Sequence, residues 1–389
     1  MCRHPPYDQM RNIQEALSGL VGGQKTAGRR LGMILEIMTF LFFQSEGLGP
    51  SMRKGNQLPS FAIDATHETD FSFHPILQTT SIEFSDSENQ NRLGSPRMPV
   101  PSTTFPIVDQ LNYLDSNSSI RTMKDKIIRN LTVNPLAVIS VQDGERKDSG
   151  DPLGQKICSS IISLSSTTGS ECNASISRLA NSAFAKVECK RVGIELTADS
   201  APQTIEKAKQ GAYAADHASS YQSILSRTGE KFGVVLGEEI EIGPYQDLRR
   251  QIINGELPSM LEGFCSTVFF FSEPSNWQTS DGIWKKDLEV LSSSFDWVIY
   301  LTDEAFIHFC QRFHIADTED VDDCVREWIH NNAKLSEIPW NAYNQLMEYA
   351  RENPPNEWFT VHTPNECGIA VLIEELHTLQ RTFSPNILD

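Results

Sequence analysis

An α/β fold is what the amino-acid sequence predicts, on three observations. From residue 135 onward, short β-branched or aromatic runs alternate with longer stretches of helical character. A chain of 389 residues that is 39% hydrophobic and 22% charged has ample material for a core and does not resemble a disordered or collagenous chain. The most apolar stretch, residues 31–43, is about 13 residues long and interrupted by Glu36, short of the ~20 residues needed to cross a bilayer.

Taken in order, residues 8–44 predict two N-terminal helices. Ile13, Ala16, Leu17 and Leu20 fall at helical spacing, Gly22 and Gly23 break the pattern, and the apolar stretch 31–43 follows. Residues 45–134 are rich in Ser, Pro, Asn and Thr and are expected to form an irregular insertion with one helix near 120–131. A strand is predicted at 136–141, ended by Asp143-Gly144. Asp151-Pro152 has the form of an N-cap with proline at the first helical position, so a helix carrying Ile157, Ile161, Ile162 and Leu164 is expected. The run 184–194 predicts a strand, and the Ala-rich stretch 204–225 a long helix introduced by Pro202. Further strands are expected at 232–236, 266–271 and 297–301, with helices at 245–253, 285–291 and 304–313. Residues 316–389 predict an acidic helical region broken at Pro339, Pro354-Pro355 and Pro364. Its run of Asp317, Glu319, Asp320, Asp322 and Asp323 suits a solvated face or a helix N-terminus, where carboxylates complement the dipole. The expected division is therefore N-terminal helices (1–44), insertion (45–134), α/β core (135–315) and acidic C-terminal region (316–389).

The net charge of −18 argues at first against a phosphate-bearing partner. The acidity is unevenly placed: residues 1–230 hold 23 basic and 24 acidic side chains, and residues 231–389 hold 10 and 27. A near-neutral N-terminal part with basic clusters is compatible with nucleic acid. The eight cysteines show no Cys-x-x-Cys pair, so neither a zinc site nor a disulfide framework is indicated, and a reducing cytoplasm is the expected compartment.

The chemistry concentrates in Val187-Glu188-Cys189-Lys190-Arg191. Side chains two apart on a strand share a face, so Glu188 and Lys190 are presented together while Val187 and Cys189 turn to the other side. In phosphodiester hydrolysis a carboxylate at such a place holds a divalent metal, and the lysine orients the attacking water or steadies charge on the phosphorane. One more carboxylate from a neighbouring strand is needed, since magnesium takes oxygen ligands and keeps several waters.

This Glu-x-Lys strand, followed by a long helix, resembles the core of the PD-(D/E)XK nucleases. Residues 186–215 (KVECKRVGIELTADSAPQTIEKAKQGAYAA) and 276–304 (NWQTSDGIWKKDLEVLSSSFDWVIYLTDE) are similar to bacterial type II restriction endonucleases in particular. The resemblance covers about residues 136–304 and implies a restriction-endonuclease-like core, magnesium as cofactor, double-stranded DNA as substrate, a homodimer and a cognate DNA methyltransferase in the same system. It assigns Glu188 and Lys190 to the Glu and Lys of the motif. The third member, an aspartate, has no Pro-Asp dipeptide to mark it. Asp143 is expected first, on the premise that strand 136–141 pairs antiparallel with 184–194, which would make Asp143 and Glu188 the metal ligands. Asp151 is second, since a helix cap already accounts for it; Asp64 and Asp70 would demand a much longer insertion. Gln210 and Tyr213, on the helix after the catalytic strand, and Glu36, inside an otherwise apolar helix, are candidate supports. Lys207, Lys209 and Arg191 are candidate DNA contacts.

Two other readings stand beside this one. The same fold also serves repair and recombination nucleases, and an inert Glu-x-Lys ion pair on an edge strand would leave a DNA-binding or interaction protein without catalysis. A nucleophilic hydrolase lacks its Gly-x-Ser-x-Gly elbow. Residues 19–26 (GLVGGQKT) approach a phosphate-binding loop but carry Gln24 where the second glycine is required.

Overall fold

The computed structural model describes residues 12, 13, 16, 24–54, 70–85, 138–142, 157–166, 171–179, 183–190, 222–225, 231–235, 241–254, 256, 264–272, 291, 292, 295–317, 321–331, 335, 338 and 340–384. Helix α1 (Gln24–Ser45) starts directly after the Gly22-Gly23 break. Ile34, Leu35, Ile37, Met38 and the run Phe40, Leu41, Phe42, Phe43 are fully buried, so α1 is apolar all round and lies inside the fold. It closes in a Schellman turn. Gly47 N donates to Gln44 O at 3.2 Å and Leu48 N to Phe43 O at 3.0 Å. Gly47 sits at φ 75°, a conformation its missing Cβ permits. No helix among the described residues is long and apolar enough to cross a membrane.

After a 3-10 turn at Gly49–Ser51 the chain enters β1 (Met52–Lys54), β2 (Phe71–Phe73) and β3 (Ile76–Ser85). Then come β4 (Val138–Gln142), β5 (Ile157–Ser166), β6 (Glu171–Leu179) and β7 (Ala185–Lys190). A three-stranded antiparallel sheet follows, made of β8 (Gln222–Leu225), β9 (Lys231–Val235) and β10 (Glu241–Pro244). The remainder is α2 (Tyr245–Ile253), β11 (Ser266–Ser272), β12 (Trp297–Leu301), α3 (Asp303–Arg312), α4 (Cys324–His330), α5 (Trp340–Glu352), β13 (Phe359–Thr363) and α6 (Ile369–Phe383).

The central sheet has six strands in the order β1-β2-β7-β11-β12-β13. β7, β11 and β12 run parallel; β2 is antiparallel to β7 and β13 antiparallel to β12. All seven residues of β11, Ser-Thr-Val-Phe-Phe-Phe-Ser, are buried, as a strand with parallel neighbours on both sides requires. Alternation then divides the sheet. Ala185, Val187 and Cys189 of β7, Val268 and Phe270 of β11, and Trp297, Ile299 and Leu301 of β12 join the main core with α1 and the C-terminal helices. Phe43 of α1 packs edge-on against Phe73 (4.8 Å) and Phe270 (5.7 Å). Lys186, Glu188 and Lys190 are left for the opposite face.

The start of the parallel strands is held by a buried ion cluster. Arg249 of α2, Glu375 of α6 and Asp296 are 5%, 6% and 1% exposed. Arg249 Nη2 donates to both carboxylate oxygens of Glu375 at 2.5 Å, and Ser266 Oγ and Trp297 Nε1 donate to the same carboxylate at 2.8 and 3.0 Å. Asp296 Oδ2 accepts from Thr267 N and Oγ1 at 2.9 and 3.0 Å. Burial pushes the Glu375 carboxyl up against the pull of Arg249. The cluster ties α2 and α6 to β11 and β12, and every member but one Asp296 oxygen and the Arg249 Nε has a hydrogen-bond partner.

Several expectations change. Strand 136–141 corresponds to β4, but β4 pairs with β5 in a separate four-stranded antiparallel sheet of order β3-β6-β5-β4. β7 lies between β2 and β11 instead, so the premise that placed Asp143 beside Glu188 fails; Asp143 itself is outside the described residues. The helix expected after Asp151 is the strand β5. Ile157 and Ile161 fit a helical spacing, yet Ile162 and Leu164 alternate with Ser163 and Ser165 at the strand period, and pairing on both sides with β4 and β6 decides the outcome. The expected helix 204–225 ends in strand β8 at 222–225, and its other residues lie outside those described. The insertion 45–134 is not wholly irregular, since β1, β2 and β3 lie in it. The C-terminal region is not wholly helical either: β13 completes the central sheet, and its helices share the core. Within the acidic run, Asp323 caps α4, accepting from Val325 N and Arg326 N at 2.9 Å.

Candidate active site

Three side chains meet where β2 begins and β7 ends. Phe71 is paired with Val187, and the strands are antiparallel, so Asp70, one residue before β2, comes beside Glu188. Its carboxylate is fixed by the backbone of β7: Asp70 Oδ2 accepts from Cys189 N at 2.7 Å, a contact between residues 119 apart in sequence. Lys190 Nζ lies 4.0 Å from Asp70 Oδ2 and in contact with Glu188 Oε1. Glu188 is only 6% exposed at its side chain, Asp70 18% and Lys190 27%, so the pair opens to solvent on the lysine side.

The electrostatics follow from that crowding. Burial, and then the negative charges of Glu188 and Glu36, push the Asp70 carboxyl from 3.8 up to about 7, while Lys190 and the Cys189 N–H pull the other way. Burial also raises Glu188, opposed by Lys190. At Lys190 burial favours the neutral form, but the attraction of Glu188 and Asp70 prevails and the ammonium titrates above its usual range. Glu36 projects from α1 and its charge is felt by Asp70, Glu188 and Cys189 alike. Cys189 is buried on the α1 side against Thr39, and burial raises its thiol well above the ordinary value, so it offers no nucleophile.

Two largely buried carboxylates beside one ammonium offer hard oxygen donors, and the negative charge of Glu36 acts on both of them. That set suits magnesium, which binds through one or two carboxylates and retains waters. Among the described residues no group of three or more His, Cys, Asp or Glu side chains is placed to hold a metal ion. The fit to magnesium rests on Asp70 and Glu188.

Of the residues expected from sequence, Glu188 and Lys190 come together here, and Glu36 acts on Glu188 and Asp70 through its charge. Asp143, Asp151, Arg191, Lys207, Lys209, Gln210 and Tyr213 lie outside the described residues. Asp70 replaces Asp143 as the neighbour of Glu188. A long separation counted against it, but the described residues between β2 and β7 include a four-stranded sheet, with β3 the next strand after β2 and β6 the last before β7. The available signal was the short alternation Asp70-Phe71-Ser72-Phe73, an acidic residue at the mouth of a strand with two aromatic side chains on one face. β7 is paired on both sides over Ala185–Val187, whereas Glu188–Lys190 is paired with β11 alone and meets the Asp70 carboxylate on its other side. No family model matches the chain, and no curated protein matches it.

Proposed function

We propose that the protein is a magnesium-dependent endonuclease that hydrolyses phosphodiester bonds in double-stranded DNA at specific sites, a type II restriction enzyme of the PD-(D/E)XK kind. The observation that carries this reading is the convergence of Asp70, Glu188 and Lys190, brought from opposite sides of a long insertion to one end of a β2–β7 pair. Asp70 and Glu188 would hold the metal. When bound, magnesium supplies Lewis-acid polarisation of the phosphoryl oxygen and a more acidic water. Lys190 is the group aimed at the reacting phosphate: its raised pKa keeps Nζ protonated at neutral pH, which suits a donor to a non-bridging oxygen better than a general base. The cleft-bearing half of the chain is near neutral, with the acidic excess beyond residue 230, so phosphate approach is not opposed by the net charge of −18. Cutting both strands of a symmetric site calls for two active sites related by a two-fold axis, hence a homodimer, and a cognate methyltransferase would protect host DNA.

The test is digestion of unmethylated phage DNA with magnesium. Discrete bands are expected, and Glu188→Ala and Lys190→Ala are expected to abolish cutting while DNA binding survives. A smear would point to a nonspecific nuclease, and undiminished cutting by either variant would overturn the assignment.

A further inference from the structure

Resting on the nuclease reading, we propose that Lys190 is a built-in competitor of the metal: its ammonium sits on Glu188 Oε1 and beside Asp70 Oδ2, where a dication held by the two carboxylates would lie, and that place is freed only when Lys190 swings away. The geometry carries the argument. Lys190 Nζ contacts Glu188 Oε1 and lies 4.0 Å from Asp70 Oδ2. Asp70 Oδ2 is also committed to the Cys189 N–H at 2.7 Å, so its position is set by the backbone and cannot follow an incoming ion outward. Glu188 is equally confined, at 6% side-chain exposure. The most exposed of the three is Lys190, at 27% of its side chain, and its ammonium ends a flexible four-carbon stem with three rotatable donors. Two cations cannot share the two carboxylates without repelling each other strongly in a half-buried cleft.

The carboxylates therefore keep their places while the ammonium relocates. The natural acceptor for a displaced ammonium at this spot is the phosphate of the substrate. Phosphate that takes up Lys190 strengthens metal binding, and by linkage metal strengthens phosphate binding. The site is thus held closed to metal by its own lysine until a polyanion draws that lysine off, which would limit metal-driven activation to the DNA-bound state.

The experiment is titration calorimetry of magnesium into the full chain and into Lys190→Met, Lys190→Gln and, as a control on the same face four residues away, Lys186→Met. Thermal unfolding with and without magnesium is a second readout. Wild type is expected to bind weakly, Lys190→Met and Lys190→Gln at least about tenfold more tightly, with a larger magnesium-induced rise in Tm, because a competing unit charge is removed. Lys186→Met is expected to stay within about threefold of wild type, since the ammonium that meets Glu188 and faces Asp70 is that of Lys190. Equal or weaker binding by the Lys190 variants, with wild type binding, overturns the competition and leaves the nuclease reading standing. Equal tightening by Lys186→Met also overturns it, since a general field would then suffice. Absence of binding by wild type and all variants removes the metal site, and with it the nuclease reading.

Discussion

Asp70→Asn is expected to make the protein more stable while removing its metal site, and the size of the effect can be worked out from the cleft. In the unfolded chain an aspartate titrates near 3.8; folded, burial and the charges of Glu188 and Glu36 carry Asp70 to about 7. A carboxyl whose pKa is raised by folding contributes stability that is fully present below the unfolded value and lost as pH rises through the folded one. At pH 8 the ionised Asp70 therefore costs the fold up to about 4 kcal/mol relative to a neutral group. With 18% of the side chain open to solvent, we expect about 2–4 kcal/mol. Asparagine keeps the shape, and its carbonyl can still accept from Cys189 N, but it carries no charge. Urea unfolding at pH 8 in a chelating buffer, followed by tryptophan fluorescence, should show Asp70→Asn more stable than wild type by that amount. The gap should shrink as pH falls through 7 and close near pH 4. Magnesium should then stabilise wild type and leave Asp70→Asn unmoved. A variant less stable than wild type at pH 8, or a gap that does not vary with pH, would refute the electrostatic account of the site.

Two further changes test the frame that holds the cleft. Glu375→Gln removes one charge from the buried cluster and leaves Arg249 only the longer ion pair with Asp296, at 3.8 Å, so a loss of about 1.5–3 kcal/mol is expected in denaturant unfolding; a loss below 1 kcal/mol would mean that the cluster is not a fastening. Gly47→Ala should cost about 1 kcal/mol purely through the positive φ, because a Cβ there meets nothing within 4 Å. An unchanged midpoint would show that the Schellman turn is not needed to end α1.

Much of the sheet was legible because strand periodicity is local. The alternation of residues 185–190 identified Glu188 and Lys190 as sharing a face, and the apolar runs at 266–272 and 297–301 identified the buried strands. The helix bounds of α2 and α3 were likewise set by nearby signals, such as Thr302, which accepts from Ala305 N at 3.3 Å, and the acidic residues in the first turn of α3. Three features escaped. Ile157 to Leu164 satisfies helix and strand spacing about equally, and only pairing with β4 and β6 chooses between them. Phe359–Thr363 is a short half-exposed edge strand between prolines, which has little signature until β12 is there to receive it. Asp70 is undistinguished among the chain's aspartates until β2 closes on β7.

What the sequence by itself determined is the chemistry available on one strand: a carboxylate and an ammonium on the same side of β7, an apolar helix with one glutamate, and a charge distribution that leaves the first 230 residues near neutral. Which second carboxylate joins them was decided only by tertiary structure. Side-chain alternation depends on neighbours along the chain, whereas the partner of a strand depends on which distant segment has matching backbone groups and a matching apolar face. Here Phe71 and Phe73 have that face, packing into the same core as Val187 and Ala185, and their burial draws Asp70 to the hydrogen bond it makes with Cys189.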